Sequence, residues 1–351
     1  MQKIGQLAMM CGLVVALMCG AALAKEINVP ADFKTIGDAL ANASAGDVIK
    51  VAAGTYTENL NVSVGVTLEG AGADKTILDG SNGRSQQQPV ILIRGTNNVT
   101  IRGFTIQNGR RGVSTERATG ILVENNVITK NLRQGVLFNT KSEGKILNNQ
   151  IIENLPDADG SLGRGVNVTD SQAVITGNNI SKNAQSGVAV FFSKVEISNN
   201  RINENGLWGI LLSHNPDTGD TAEGTVTGNT LNANAGIGVF LVGGVTFDIS
   251  KNQITNTKAA STPDNGGGEG IFMQDGATAK ISENTITGSE SHGVGVGSAS
   301  KAEVNSNIIK DNKGCGVTGT SDATITGSNN ELSGNAGGDV CGSAPTSLKK
   351  P

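Results

Sequence analysis

Apolar positions along this chain recur with two spacings at once. In the stretch Ile197-Ser198-Asn199-Asn200-Arg201-Ile202-Asn203-Glu204-Asn205-Gly206-Leu207-Trp208-Gly209-Ile210-Leu211-Leu212, Ile197, Ile202, Ile210 and Leu212 form the apolar set. The step of two from Ile210 to Leu212 is strand periodicity, whereas the step of five from Ile197 to Ile202 requires a turn. Close copies start at Val123, Ile146, Ile175, Val226, Ile249, Ile281 and Val304. A degenerate copy at Ile101 has Phe104 at the first Asn position, and one at Ile325 carries two extra residues before Leu332. Successive starts lie 21–23 residues apart, or 29–32 where a segment is inserted. A unit of that length holds three short strands and three turns, and stacking such units pairs each strand in parallel with its copy in the next.

Two rows of Asn accompany the apolar rows. Asn126, Asn149, Asn178, Asn200, Asn229, Asn252, Asn284 and Asn307 fall in the first turn, and Asn131, Asn154, Asn183, Asn205, Asn234 and Asn312 in the second. Stacked amides hydrogen-bond from coil to coil, and Asn tolerates the left-handed backbone that a tight turn asks for. Residues repeated in every coil belong to the scaffold, so neither row is read as catalytic.

Ahead of the repeats, residues 25–45 read as a cap. A strand at Ile27-Asn28-Val29 and Pro30 precede a helix from about Phe33 to Ala43, with Ile36, Ala39, Leu40 and Ala43 on one face to cover the open first coil. Then come Gly46-Asp47-Val48-Ile49-Lys50-Val51-Ala52-Ala53-Gly54-Thr55-Tyr56-Thr57-Glu58, Val66-Thr67-Leu68-Glu69-Gly70-Ala71-Gly72 and Thr76-Ile77-Leu78-Asp79-Gly80. This opening resembles that of the pectin-lyase-like right-handed parallel β-helix superfamily, and the resemblance runs from Ile27 to about Val340. It implies an all-β, single-stranded right-handed parallel β-helix over residues 46–342 with an N-terminal capping helix. It leaves activity open, because that superfamily includes lyases, hydrolases, esterases, epimerases and non-catalytic members. The paired Asp-Asp of polygalacturonases, the Asp-Pro-His of mannuronan epimerases and the Arg-x-Pro-x-x-Arg of pectate lyases are all missing here; His214-Asn215-Pro216-Asp217 has similar letters in another order.

Targeting and composition narrow the setting. Lys3, the apolar run from Leu7 to Leu23 and the small residues around Ala24 read as a signal peptide of residues 1–24, which predicts a secreted or periplasmic protein with no membrane span. Residues 343–351 are expected to be a flexible tail, and the chain a monomer. A net charge of −4 without a basic block argues against nucleic acid. Cys11 and Cys19 leave with the signal, so Cys315 and Cys341 remain in an oxidisable compartment. Aligning the last two repeats sets Cys341 opposite Thr318, three residues along from Cys315. Three extended residues span roughly 10 Å, so no bridge is expected unless the last turn is irregular.

Function is expected where the period breaks, because insertions become loops on one face. Three insertions occur: residues 155–164, 214–223 and 258–269. The first and last occupy the same turn four coils apart, roughly 19 Å along the axis. Between them runs one sheet whose outward row is Asn167, Ala189, Leu211, Phe240 and Phe272, with Trp208 and His292 just before their glycines and the 214–223 insertion rising from the middle. This predicts a walled groove suited to an extended polysaccharide, with Trp208, Phe240, Phe272, Asn167, Leu211, His292 and Glu269 as contacts, since flat rings beside amides and carboxylates suit a sugar's apolar face and hydroxyl rim. The same Phe residues also read as an outward stack that stabilises the sheet.

For chemistry, uronate elimination or epimerisation needs a cation, a base and a proton donor, which Arg164, Arg133 and His214 would supply. Hydrolysis needs two facing carboxylates, drawn from Asp217, Asp220, Glu223 and Glu269. The catalytic candidates are therefore His214, Asp217, Asp220 and Arg164. No cofactor is required, with Ca²⁺ the one ion the loop acids suit, although Asp217, Asp220 and Glu223 follow no established calcium-loop spacing. The competing expectation is a non-catalytic surface or periplasmic interaction protein. A role in copper-site assembly finds no Cys or Met pairs to support it.

Overall fold

A computed structural model describes residues 24–81, 87–160, 162–262 and 266–350; the expected signal peptide, apart from Ala24, lies outside them. The chain winds through three parallel sheets of 13, 12 and 12 strands, with each strand bonded to its copies in the neighbouring coils. The repeat unit maps onto the sheets in order. Ile197 lies in Lys194–Ser198 of the 13-stranded sheet, Ile202 in Arg201–Asn203 of a sheet of mostly three-residue strands, and Ile210 and Leu212 in Trp208–Ser213 of the third. All four are fully buried. Apolar residues at equivalent positions stack upon one another, so a single core runs the length of the solenoid.

The first Asn row forms a continuous ladder. From Asn126 to Asn330, each side-chain amide donates to the next Asn Oδ1 at 2.9–3.1 Å. Every one of these amides also donates to the carbonyl of an apolar residue one coil back, as Asn200 does to Ile175. The second row is bonded from Asn131 to Asn234 and again from Asn312 to Asn335. Thr257 and Ser289, both buried, interrupt it. The left-handed residue of each turn is not the ladder Asn, as the sequence suggested, but its predecessor: Asn125, Asn148, Asn199, Lys251 and Glu283 have φ of +54° to +56°. One left-handed residue turns the chain and aims the following amide inward. Gly209 recurs because it sits against the second ladder, where a Cβ would come within 2.5 Å of the Gly238 carbonyl oxygen and 3.1 Å of Asn234 Nδ2.

Both ends are closed. The cap helix is shorter than expected, Ile36–Ala41, but Ile36, Ala39 and Leu40 are buried on the first coil as the spacing required. Thr35 caps it by accepting from the Asp38 N–H, and the Glu58 carboxylate accepts from the N–H groups of Ile36 and Gly37. The C-terminal segment corrects the expectation of a flexible tail. Thr346–Leu348 forms a 3₁₀ turn, Leu348 is fully buried, and its carbonyl accepts from Asn330 Nδ2 at 2.9 Å. The last ladder amide needs an acceptor and the last coil needs a lid; this segment supplies both.

The unbridged reading of Cys315 and Cys341 is likewise corrected. They form a disulfide with Cα atoms 6.2 Å apart. Cys341 does pair with Thr318, yet the strand from Cys315 is not straight: Gly316 and Val317 are both buried, the ladder skips Gly316, and Gly338, paired with Cys315, has φ +112°. The bridge therefore spans the bend that an extended-strand estimate ignores. Replacing both cysteines by Ala should lower stability by about 3 kcal/mol, because the bond closes a separation of 26 residues. A urea midpoint unchanged from wild type in the double variant would count against this.

Candidate functional site

The twelve-stranded sheet that contains Trp208–Ser213 carries the predicted groove. Register places Asn167, Ala189, Leu211, Phe240 and Phe272 in one row across successive strands. The described residues of 155–164 and 258–269 lead into this sheet at its leading edge, and 214–223 leave it at its trailing edge. The first is tied down by the Arg133–Asp157 ion pair at 3.2 Å and by Gly163 N–H donating to the Arg133 carbonyl. The last is tied by Gly268 N–H to the Gly236 carbonyl and by Ala259 N–H to the Glu290 carboxylate. The 214–223 loop folds on itself through Asn215 N–H to the Asp220 carbonyl and Thr218 Oγ1–H to Asp220 Oδ2.

Three rings form a strip along the solenoid axis. Trp208 and Phe240 have centroids 5.5 Å apart at a 51° tilt, and Phe240 and Phe272 are stacked at 5.9 Å. Beyond them Gly295 lies under the Phe272 ring, where a Cβ would meet it at 2.7 Å. Rings on neighbouring coils repeat at the strand spacing, which makes an apolar track about three coils long. The rings are half-buried. Leu211 and Asn167 are nearly inaccessible, at 5% and 3%, so they underlie the groove rather than line it.

At the N-terminal end of the strip the surface turns from aromatic to cationic. Arg164 lies with its guanidinium carbon 4.9 Å from the Phe191 ring centre, donates through Nε to Gln185 and through a terminal nitrogen to Asn167 at 2.6 Å. Asn167 passes a bond on to Thr169. Burial, with Arg133 nearby, lowers the Arg164 pKa to about 10, so it remains a cation at neutral pH. Arg111 and Gln134 precede it in the same register, and Arg111 Nε donates to Gln134 Oε1 at 2.9 Å. Burial and two neighbouring arginines, Arg133 and Arg110, lower the Arg111 pKa to about 10 as well. Arg111 and Gln134 are absent from the sequence-derived set, although the only Arg-Arg pair in the chain, Arg110-Arg111, marks the spot.

The remaining candidates do not converge. Arg164 opens its strand, whereas His214 follows the end of Trp208–Ser213, two coils on and at the opposite edge. Six strand residues and two coil steps separate them by roughly 20 Å. Asp217 and Asp220 are exposed on the His214 side. The His214 ring packs on Gly243, where a Cβ would lie 1.9 Å from Nδ1, and that nitrogen is 3.3 Å from the Val242 carbonyl oxygen. Since a carbonyl only accepts, the bonded tautomer carries its proton on Nδ1. His292 serves the scaffold: its Nδ1 accepts from the Cys315 N–H at 2.9 Å. The Glu269 carboxylate accepts from the Gly267 N–H of its own loop. Among the described residues no three His, Cys, Asp or Glu side chains are grouped to hold a metal ion.

A depression of about 500 Å³ lies on another face, over Leu122, Val174 and Gly224 of the 13-stranded sheet. Its charged groups, Glu143, Lys145, Lys194 and Glu196, belong to the alternating rows of that outer face, and no aromatic residue lines it. The insertions and the scarce residue types favour the groove.

Residues 55–194, 157–265 and 260–348 match the family described as right handed beta helix region. The chain belongs to this family, and its fold is that of the pectin-lyase-like right-handed parallel β-helix proteins. Over 113 residues it is 36% identical to a cell surface glycoprotein of Methanothermus fervidus, a match covering 32% of this chain and 18% of that protein. The chain thus spans less than a fifth of that curated relative. Among solved structures, a mannuronan C-5 epimerase A-module of Azotobacter vinelandii superposes with a TM-score of 0.64 at 15% identity, over 92% of this chain and 97% of that one. A pectate lyase does so with a TM-score of 0.52 at 16% identity, over 74% and 76%. No helix among the described residues is long and apolar enough to cross a membrane.

Proposed function

We propose that this is an exported β-helix protein that binds an extended polysaccharide along the groove sheet. One observation carries the reading: Trp208, Phe240 and Phe272 form a continuous ring track, flanked by loops on both edges and continued by amides and guanidinium groups. A track of this kind offers the sugars a continuous apolar surface, and the polar rim fixes the chain's orientation. The track runs across the strands, so a linear polymer lies along the solenoid axis and meets equivalent positions coil after coil. An extracellular setting fits the curated relative, which is named for the cell surface.

The structural neighbours named above are a pectate lyase and a mannuronan epimerase by name, which supports polysaccharide processing as the second reading if the groove is catalytic. The sequence-derived set of His214, Asp217, Asp220 and Arg164 is spread over both edges, so binding is the reading that the geometry supports best. The test is to titrate residues 25–351 with polygalacturonate, alginate, xylan and dextran, following heat of binding, unsaturated-product absorbance and reducing ends. Saturable binding to at least one polymer is expected. Binding to none of them would overturn the proposal, and product formation that survives His214→Ala would remove His214 from any mechanism.

A further inference from the structure

The leading edge of the groove holds more positive charge than its surroundings neutralise. Arg110 and Arg111, Arg133 with Gln134, and Arg164 occupy equivalent positions on three consecutive coils. Arg111 and Arg164 stand about 10 Å apart along the axis, at two coil steps. The facing acids are few. Asp157 pairs with Arg133, Asp159 lines a small depression with Arg110 and Asp157, and Glu116 is engaged by Arg94 at 2.8 Å. Among the described residues, the side-chain hydrogen bonds of Arg111 and Arg164 go to the neutral amides of Gln134, Gln185 and Asn167. Among the described residues, Arg110, Arg111, Arg133 and Arg164 outnumber Asp157, Asp159 and Glu116, the last of which also acts on Arg111, so the local field is cationic.

The arrangement has the features of an anion site rather than a structural ion pair. The amides and the Phe191 ring hold the Arg164 guanidinium in one orientation, and one Nε–H and one terminal N–H are used in doing so. The other donors of its fork remain for a ligand. Arg111 is held through Nε only. A partly buried cation without a carboxylate partner has lost hydration, so an incoming oxyanion binds it more strongly than it would a solvated lysine. Arginine forks match planar or tetrahedral oxyanions through paired N–H bonds. Their spacing by coil steps then suits an anion that repeats along a polymer.

We propose that Arg111 and Arg164 form a subsite for the oxyanion groups of an acidic polysaccharide, so that the groove selects a charged polymer over its uncharged parent. This rests on the groove being a polysaccharide site. Carboxylate and sulfate share the recognising chemistry, and the experiment separates them. Binding of the 25–351 protein is measured against polygalacturonate, fully methyl-esterified polygalacturonate, dextran sulfate and dextran, each at two salt concentrations. One or both charged polymers should bind at least tenfold tighter than the uncharged parent, and the preference should shrink with salt. The preferred polymer identifies the anion.

In Arg111→Gln/Arg164→Gln the ratio of charged-polymer to uncharged-polymer affinity should fall by about 10- to 100-fold. If circular dichroism shows that this variant fails to fold, Arg111→Lys/Arg164→Lys keeps the charge and removes the fork, and the same preference should weaken. Equal binding of charged and uncharged polymers by wild type would overturn the subsite and leave the groove standing. A preference that survives the folded double variant would also overturn it. Binding of none of the four would take down the groove reading and the subsite together.

Discussion

Asn200→Ala should lower the stability of the solenoid by about 4 to 5 kcal/mol, far more than an ordinary surface substitution. The Asn200 carboxamide makes four ladder bonds. Its Oδ1 accepts from the backbone N–H and the side-chain amide of Asn178, and its Nδ2 donates to Ile175 O and Asn229 Oδ1. Two of the groups left behind lose a good alternative. The Asn178 N–H and the Ile175 carbonyl both face the dry interior, and each orphaned buried group costs about 1–3 kcal/mol, with a cavity added. Arg201 provides the control, since it follows in the same coil but is exposed and should change stability by less than about 0.5 kcal/mol as Ala. Urea unfolding of both variants measures the contrast. Equal, small losses would mean that the ladder is decoration on a core held by the apolar rows alone.

The triple variant Trp208→Ala/Phe240→Ala/Phe272→Ala should weaken polysaccharide binding by roughly 100- to 1000-fold, which is about 3–4 kcal/mol. The rings are half-buried on the outer face, and the core beneath them, Ile210, Val239 and Ile271, is complete without them. The melting temperature should therefore move by only a few degrees while affinity collapses. The single substitutions should sum to less than the triple effect if a polymer spans all three rings, because each remaining ring still holds the chain nearby. Retained affinity in the folded triple variant would reassign the strip to sheet stabilisation, the other role its stacking suits.

How far the site was readable depends on which residues are considered. The row Asn167–Phe272 and the engagement of Trp208 with Phe240 follow from counting positions along the repeat, because stacked coils keep register. The accessibility of that row does not follow. Leu211 and Asn167 belong to it and are nevertheless covered, which depends on the bulk of neighbouring side chains. The catalytic grouping of Arg164 with His214 is not assembled for a similar reason. Both were seen as flanking one groove, but a strand of six residues sets them on opposite edges, and only the turn assignment of each insertion reveals it.

The αL residues, the C-terminal lid and the disulfide mark the same boundary. The sequence identified ladder Asn as turn residues, yet their predecessors carry the positive φ, a difference of one residue that only backbone geometry resolves. Asn330 was hidden by the two extra residues of its coil, and it joins the ladder because Leu348 returns to cap it.

The sequence by itself determined the coil length, the three-sheet architecture, the inward apolar rows and the two Asn ladders. Each is dictated by a local periodicity repeated many times, and stacking identical units leaves one way to satisfy both burial and backbone hydrogen bonding. Only the tertiary structure decided which outward residues reach solvent, that Cys315 and Cys341 meet, and that Arg111 joins Arg164 at one edge of the groove sheet. Those outcomes turn on contacts between non-repeating residues several coils or one bend apart, where no period constrains the answer.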